Sequence, residues 1–278
     1  MKVKKTIKLF IGGKFPRSES GRVAPQYFAA SKTKVSAHYC QASRKDFRAS
    51  IEANKKAEGP WAARSAYNRG QILYRIAENL EMRRGEFEEI FISILGYSKS
   101  KANKTLEQAI AAFVYYAGFA DKYSQVLASL NPVQGSQHNF TFPEAIGSGV
   151  LAEGSSTKFV ELCNELAALL ATGNVVTVLQ SPTCALLLSP FAEVLATSDV
   201  PAGVVNLLSA SNDELMPVAA SHMDVLYITL LEDKDLALVK GEAIHNLKRV
   251  FRAPANGRSI ESIAQAVEYK TTWHPTGF

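Results

Sequence analysis

Residues able to carry chemistry are few in this sequence, and they are scattered. Five histidines stand at His38, His138, His222, His245 and His274. None falls in an HxxxH or mixed His/Cys spacing that would converge on a metal, so each reads as solvated or hydrogen-bonded. Three cysteines, Cys40, Cys163 and Cys184, include no CxxC pair. Cys163 and Cys184 lie in runs rich in Leu and Ala, where a thiol packs as a small hydrophobe. One glycine motif is present: Gly147-Ser-Gly149-Val-Leu-Ala152 spells G-x-G-x-x-A. A dinucleotide fingerprint must lie between a strand and a helix, with an acidic residue about 20 positions on. Here the glycines open a strand, so the motif is not read as a fingerprint. The acidic pairs Glu88-Glu89 and Glu232-Asp233 read as solvated helix or loop features.

Any such residues must be positioned by the stretch from Ala167 to Leu208, around which the chain is organised. Residues 167–171 close a helix, and Gly173-Asn174 supplies the left-handed stop that such an end needs. Residues 175–179 are β-branched and uncharged, as in a strand covered on both faces. A helix follows to about residue 196. Pro182 is a candidate start for it, and Pro190 would then kink it. Pro201-Ala-Gly203 turns the chain into a second buried strand, 204–208. Together these make a right-handed βαβ unit, the seed of a parallel sheet.

From the beginning of the chain, residues 9–11 with Gly12-Gly13 read as an edge strand and hairpin turn. The polar stretch 18–36, with Pro25, reads as irregular. Ser43-Arg-Lys-Asp46 opens a helix as a capping box. Phe47 and Ile51, then Ala49, Ala53 and Ala57, recur along it at helical spacing, and Trp61 is expected in the following turn. Ser65 caps a long helix through Arg83, with Ile72, Leu73, Ile76, Ala77 and Leu80 on one stripe. Two more helices are expected at 86–95 and 101–123. These stripes read as core packing. Residues 138–142 alternate as a half-exposed strand that Pro143 ends. A strand at 149–152 and a helix at 157–171 lead into the central unit. Beyond it come helix 213–220, strand 225–230, helix 235–244, strand 249–252, helix 259–266 and an exposed alternating strand, 268–274.

The 278 residues suffice for one large or two ordinary domains. An apolar fraction of 47% and a charged fraction of 21% fit a soluble globular protein. The net charge of +5 is spread without a basic face interleaved with aromatics, which argues against nucleic-acid binding. No apolar run approaches the roughly 20 residues of a membrane span. Lys2, Lys4, Lys5 and Lys8 precede no apolar core of a signal peptide. A sparse, odd set of cysteines implies reduced thiols and a cytoplasmic setting.

Six segments, taken in order, resemble the aldehyde dehydrogenase superfamily. KLFIGGKF-x-x-SESGR is similar to the family's N-terminal strand and turn. WAARSAYNRGQILYRIAENLEMRRGEF resembles its first long helix, with W-x-x-R-S-x-x-x-R-x-x-x-L. ALLATGNVVTVL resembles A-L-A-A-G-N-T-V-V-L, DVPAGVVNLLSA resembles L-P-x-G-V-x-N-V-V-x-G, and HNLKRVFRAP resembles N-L-K-R-V-x-L-E-L-G-G. EYKTTWHPTGF is similar to the family's C-terminal strand. The likeness covers residues 8–250 and the last dozen. It implies a Rossmann-like parallel sheet with flanking helices plus a small β oligomerisation arm, an α/β fold.

The departures from the family pattern bear on function. Between the E-L-G-G segment and the last strand the family carries a catalytic domain with a cysteine nucleophile; here only 257–267 lies between them. No G-Q-x-C segment is present, so covalent catalysis of the family's kind has no thiol. The general-base glutamate of E-L-G-G falls on Ala253, which cannot accept a proton. The oxyanion-hole asparagine of P-W-N-F-P falls on Ser156, or on Ser155 with a one-residue slip; neither is an amide donor. K-P-S-E, whose Lys and Glu hold the adenosine ribose, falls on Leu179-Gln180-Ser181-Pro182, and a slip would put Gln180 at the Lys position. The glycine of F-T-G-S falls on Leu230, where close approach of a cofactor needs no side chain.

These departures imply no catalytic residues and no cofactor, with NAD or NADP as the alternative. What the resemblance leaves intact is the scaffold and the arm, with Phe140, Phe142, Tyr269 and Trp273 as interface residues. The expected organisation is an N-terminal helical part, 1–130; a first arm segment, 131–148; a Rossmann-like core, 149–254; and a linker with the C-terminal arm strand, 255–278. The expected function is a noncatalytic subunit that joins itself or a full-length aldehyde dehydrogenase paralogue. Two alternatives remain. One is an NAD(P)-binding oxidoreductase component whose catalytic groups come from a partner. The other is a small-molecule sensor using the old cofactor groove.

Overall fold

Short uncharged runs pair in parallel at the centre of the chain, and helices cover them on both sides. The computed structural model describes residues 5–156, 158–210, 212–255 and 257–277. Strands β1 (Thr6–Ile7), β2 (Val23–Phe28) and β3 (Ser31–Cys40) come first. Helices α1 (Arg44–Ala62), α2 (Ala66–Met82), α3 (Arg84–Leu95), α4 (Lys99–Phe119) and α5 (Tyr123–Leu127) follow. Then come β4 (Ser129–Asn131), β5 (Gln137–Ala145), β6 (Ser148–Ala152), α6 (Phe159–Ala171) and β7 (Val175–Gln180). A 3-10 helix, Pro182–Leu187, leads into α7 (Leu188–Thr197) and β8 (Val205–Ser209). The chain goes on through α8 (Asn212–Ser221), β9 (Tyr227–Leu230), α9 (Leu236–Ala243), β10 (Arg249–Arg252), α10 (Ile260–Gln265) and β11 (Val267–Pro275).

The main sheet has the order β10-β9-β6-β7-β8, every pair parallel. Side chains alternate across it. Val150, Ala152, Leu179, Leu208, Ile228 and Leu230 point to a cluster with Phe47 and Ile51 of α1, Leu215 and Met216 of α8, and Val239 of α9. Leu151, Val176, Val178, Leu207 and Tyr227 point the other way, to the larger cluster that includes α6 and α7. Helices α2 and α4 pack outside α6, which is why α6 is buried almost all round. This is the α/β architecture expected, a parallel sheet between helical layers.

The central unit is as expected. Gly173 takes φ +91° after α6, and β7 and β8 pair in parallel. Pro182 starts the 3-10 helix, Cys184 breaks helical geometry, and α7 begins at Leu188. Pro190 therefore sits in a first turn, where the missing N–H is harmless.

Several expectations are corrected. The stretch 18–36 is not irregular: most of it forms β2 and β3, an antiparallel pair in a sheet of order β1-β3-β2. Pro25 is accommodated because β2 is an edge strand. Residues 9–11 form only bridges, with Phe10 and Leu207 exchanging two hydrogen bonds of 3.0 and 2.8 Å. Trp61 belongs to the last turn of α1, 1% exposed, because that helix continues through Pro60. The helix expected at 101–123 ends at Phe119, and a turn separates it from α5. Pro143 does not end β5. It lies beyond the reach of β4, whose pairing stops at Ser129 with Thr141, so that side of β5 needs no N–H. The helix start expected at Thr157 lies outside the described residues. The expected boundaries at 130/131 and 148/149 fall inside β4 and β6.

Candidate functional site

In an open parallel sheet, ligands gather at the carboxyl ends of the strands. Here β6, β7, β9 and β10 bring Glu153, Ser181, Leu231 and Ala253 to one edge. Glu153 is fully buried. Its Oε1 accepts the Lys158 N–H at 2.7 Å and its Oε2 the Ser181 N–H at 2.8 Å. Burial is the largest influence on this carboxyl and pushes it up to about 7, against those two hydrogen bonds. A second carboxylate, Glu232, accepts from Ser155 N at 2.9 Å, from Ser155 Oγ at 2.8 Å and from Ser156 Oγ. Partial burial alone would raise it, but these donors outweigh burial and hold it down at about 2. Gly154, at φ +99°, makes room: a Cβ there would stand 2.5 Å from Glu232 Oε2.

The expectation that Glu232 is merely solvated is therefore corrected, because it ties the loop after β6 to the end of β9. Thr183 adds a third tie, donating from Oγ1 to the Ser155 carbonyl at 3.0 Å. Beside these loops lies a cleft of about 210 Å³, lined in part by Thr183, Asp213, Lys234 and Asp235. Lys234 Nζ is 3.0 Å from Asp213. Ligand pockets usually measure about 300–1,000 Å³. The cleft is thus small, and its charged lining has more acid than base.

The arm residues divide. β11, β5 and β4 form an antiparallel sheet in that order. Tyr269 pairs with Pro143 and Trp273 with Asn139, whereas Phe140 pairs with Thr272 and Phe142 with Lys270. Directly paired residues share a face. Tyr269 and Trp273 therefore lie on one face, and Phe140 and Phe142 on the other with Leu130. On the first face a polar ladder runs from Asn131 through Thr141 to Thr271, with both steps at 2.8 Å. On the second, Phe140 and Phe142 stack with centroids 5.8 Å apart.

A sequence model of the aldehyde dehydrogenase family matches residues 17–250. The chain belongs to that family. Cytosolic 10-formyltetrahydrofolate dehydrogenase from Mus musculus is 29% identical over 251 residues, which are 87% of this chain and 27% of that protein. Mitochondrial benzaldehyde dehydrogenase from Antirrhinum majus is 31% identical over 225 residues, 78% of this chain and 41% of that one. Among solved structures, HpcC from Thermus thermophilus superposes with a TM-score of 0.83 at 24% identity, covering 89% of this chain and 48% of that chain. The NAD+ complex of aldehyde dehydrogenase from Bacillus cereus gives 0.82 at 23%, covering 89% and 50%. These structural likenesses show the fold. The chain spans between about a quarter and a half of the length of these relatives.

The positions matched to the aldehyde dehydrogenase site can now be placed. Leu179 and Leu230 are core residues under α1, α8 and α9. Gln180 is 1% exposed, and neither atom of its amide has a partner among the described residues. Pro182 lines the small cleft. Ser155 and Ser156 are engaged by Glu232. Ala253 is buried, and its N–H donates to the Leu230 carbonyl at 2.9 Å. Gly149 lies in β6 under the ring of Tyr227, so the G-x-G-x-x-A spacing serves strand packing. A nicotinamide dinucleotide does not suit this edge: the cleft is small, Glu232 already holds the loop donors, and no charged side chain stands at Leu179-Gln180-Ser181-Pro182. All three cysteines are buried and free. Sequence reasoning missed Glu153. Its signal was an acidic residue directly between a buried strand and a glycine.

Among the described residues no helix is long and apolar enough to cross a membrane.

Proposed function

We propose that this chain is a noncatalytic aldehyde-dehydrogenase-like subunit that joins a second copy of itself or a full-length paralogue. The observation that carries this reading is the exposure of the β11-β5-β4 sheet. Trp273 is 61% exposed, Tyr269 48% and Leu130 69%. Nine-residue β11 lies at the sheet edge, and among the described residues no strand pairs with its outer side. Such an edge is a template for another strand. The noncatalytic part of the reading is supported by the buried thiols, by an alanine at position 253 and by the carboxylate ties across the strand ends. Three free thiols also support a reducing compartment, and we place the protein in the cytoplasm.

The test is light scattering on the purified chain, alone and mixed with a full-length aldehyde dehydrogenase from the same source. A mass above one chain, lost in Trp273→Glu, supports the proposal. A strict monomer that captures no paralogue overturns it. Calorimetric titration with NAD and with NADP should give no saturable heat, and clear binding would restore the oxidoreductase alternative.

A further inference from the structure

We infer that β11 is a self-pairing strand: two copies of this chain join edge to edge and antiparallel, about a two-fold axis at Thr271. The inference rests on the association reading above and narrows it to a second copy in a single register.

The hydrogen-bond phase of β11 limits the registers open to it. In an antiparallel pair every second residue turns its N–H and C=O to the neighbouring strand, and the residues between turn theirs away. The Thr276 N–H donates to the Ser136 carbonyl at 3.1 Å, one step beyond the pair of Pro275 with Gln137. Even-numbered residues of β11 therefore bond to β5, and Tyr269, Thr271 and Trp273 turn their backbone groups to the open edge. Two prolines fit the same phase. Pro275 on β11, and Pro143 on β5 opposite Tyr269, both stand where the neighbouring strand needs no N–H.

Directly opposed residues share a face of the sheet, so a two-fold axis must place one residue of β11 opposite itself. The phase requires that residue to be odd-numbered. Centred on Thr271, all nine residues of β11 find a partner; centred on Tyr269 or Trp273, only five do. With Thr271 on the axis, Tyr269 of each copy meets Trp273 of the other. These three pairs each exchange two hydrogen bonds. The pairing ends where Val267 meets Pro275, which has no N–H to give.

The side chains agree with this register. Tyr269 and Trp273 are 48% and 61% exposed, and they form an aromatic cross-strand pair on each side of the axis. Glu268 stands opposite His274 and Lys270 opposite Thr272, so no like charges meet. The strand is thus complementary to its own sequence read backwards, which a second copy supplies. The product is a continuous sheet in the order β4-β5-β11-β11-β5-β4.

The experiment follows the mass of the purified full chain by light scattering over a concentration series. It should rise to that of two chains. Thr271→Pro removes a donor from the open edge and none from the pairing with β5, so it should weaken association by at least about tenfold while circular dichroism stays unchanged. Opposed residues at the axis have Cα atoms about 5.5 Å apart, within disulfide range. Mild oxidation should therefore couple Thr271→Cys to its own copy. His274→Cys, three residues from the axis and so about 20 Å from its copy, should stay uncoupled. Association that a folded Thr271→Pro leaves intact overturns the inference, as does equal coupling of Thr271→Cys and His274→Cys. Association with a full-length paralogue alone overturns it and leaves the broader reading standing, whereas a strict monomer that captures no paralogue overturns both. Should Thr271→Pro fail to fold, the two cysteine variants decide the matter.

Discussion

Replacing Gly149 by alanine tests whether the glycines of G-x-G-x-x-A serve packing. Gly149 pairs in register with Tyr227 on the neighbouring strand. A Cβ on Gly149 would press on Cε1 and Cζ of that ring and stand 2.5 Å from Cδ1, where carbon contacts normally settle at about 3.5–4.0 Å. The ring has no room to retreat, because Tyr227 is fully buried and its hydroxyl donates to the Val175 carbonyl at 3.0 Å. Overpacking costs about 1–3 kcal/mol, and loss of the hydroxyl bond about 1 kcal/mol more. Gly149 is not at positive φ, so alanine recovers about 0.4–1 kcal/mol of chain entropy. The net expectation is a loss of about 1–3 kcal/mol, or roughly 2–12 °C in Tm for a chain of this size. Urea unfolding followed by circular dichroism would measure it, with m unchanged. In the Tyr227→Leu background the same substitution should cost at least about 1 kcal/mol less. A neutral Gly149→Ala would refute the packing argument. So would an equal loss in both backgrounds.

Glu153 and Glu165 are both raised by burial from 4.5 to about 7, so the folded chain holds protons that the unfolded chain releases. Their contribution is greatest below 4.5 and is lost as pH rises towards about 7; Glu153→Gln and Glu165→Gln should each flatten that decline in a pH series of Tm. Glu232, lowered to about 2, acts in the opposite sense: its contribution is present above 4.5 and is lost as pH falls towards about 2. Asp46 accepts from Ser43 N at 2.8 Å, Ser18 Oγ at 2.7 Å and Glu19 N at 3.1 Å. Asp46→Ala should cost about 2–3 kcal/mol in urea unfolding, and a loss under about 0.5 kcal/mol would show that the cap is dispensable. Cys40, Cys163 and Cys184 are all buried, and burial raises the thiols of Cys163 and Cys184. A disulfide reagent at neutral pH should label all three only after unfolding, and rapid labelling of one in the native state would reveal an activated nucleophile.

Much of the fold was legible because its signals are local. The uncharged β-branched run 175–179 marks a two-sided strand, Ser43 and Asp46 spell a cap, and the stripe on α2 has helical spacing. The β2–β3 pair was not legible. Its strands are mostly polar, the one apolar alternation, Val35, Ala37 and Tyr39, comes only at the end of β3, and Pro25 argues against a strand until β2 is known to be an edge. The division of the arm aromatics depends on register alone. Even-numbered residues of β5 face even-numbered residues of β11, which separates Phe140 and Phe142 from Tyr269 and Trp273. A shift of one residue would have put all four on one face. The roles of Glu153 and Glu232 were hidden for a different reason. Their partners lie up to 28 and 77 residues away in sequence, and only the parallel order of β6, β7 and β9 brings them together.

The segment after β10 bears on how the chain manages with so short a stretch before β11. Ser259 is held at both backbone groups by the Tyr116 hydroxyl, which donates to its carbonyl and accepts its N–H, each at 3.2 Å. Ser262 donates to Glu165, and Asn174 Nδ2 donates to the Ala266 carbonyl at 2.7 Å. Ile263, Ala266 and Val267 are buried. A chance crossover would leave α6 with an apolar flank and these donors and acceptors unmatched. Instead α10 covers that flank and delivers β11 to β5 in an antiparallel register of nine residues. The strand ends are likewise tied by carboxylates belonging to the chain itself. Order at both places therefore comes from within, and a ligand is not needed to supply it. On the proposed reading, that leaves the arm sheet as the surface whose exposed aromatics and open edge still call for a partner.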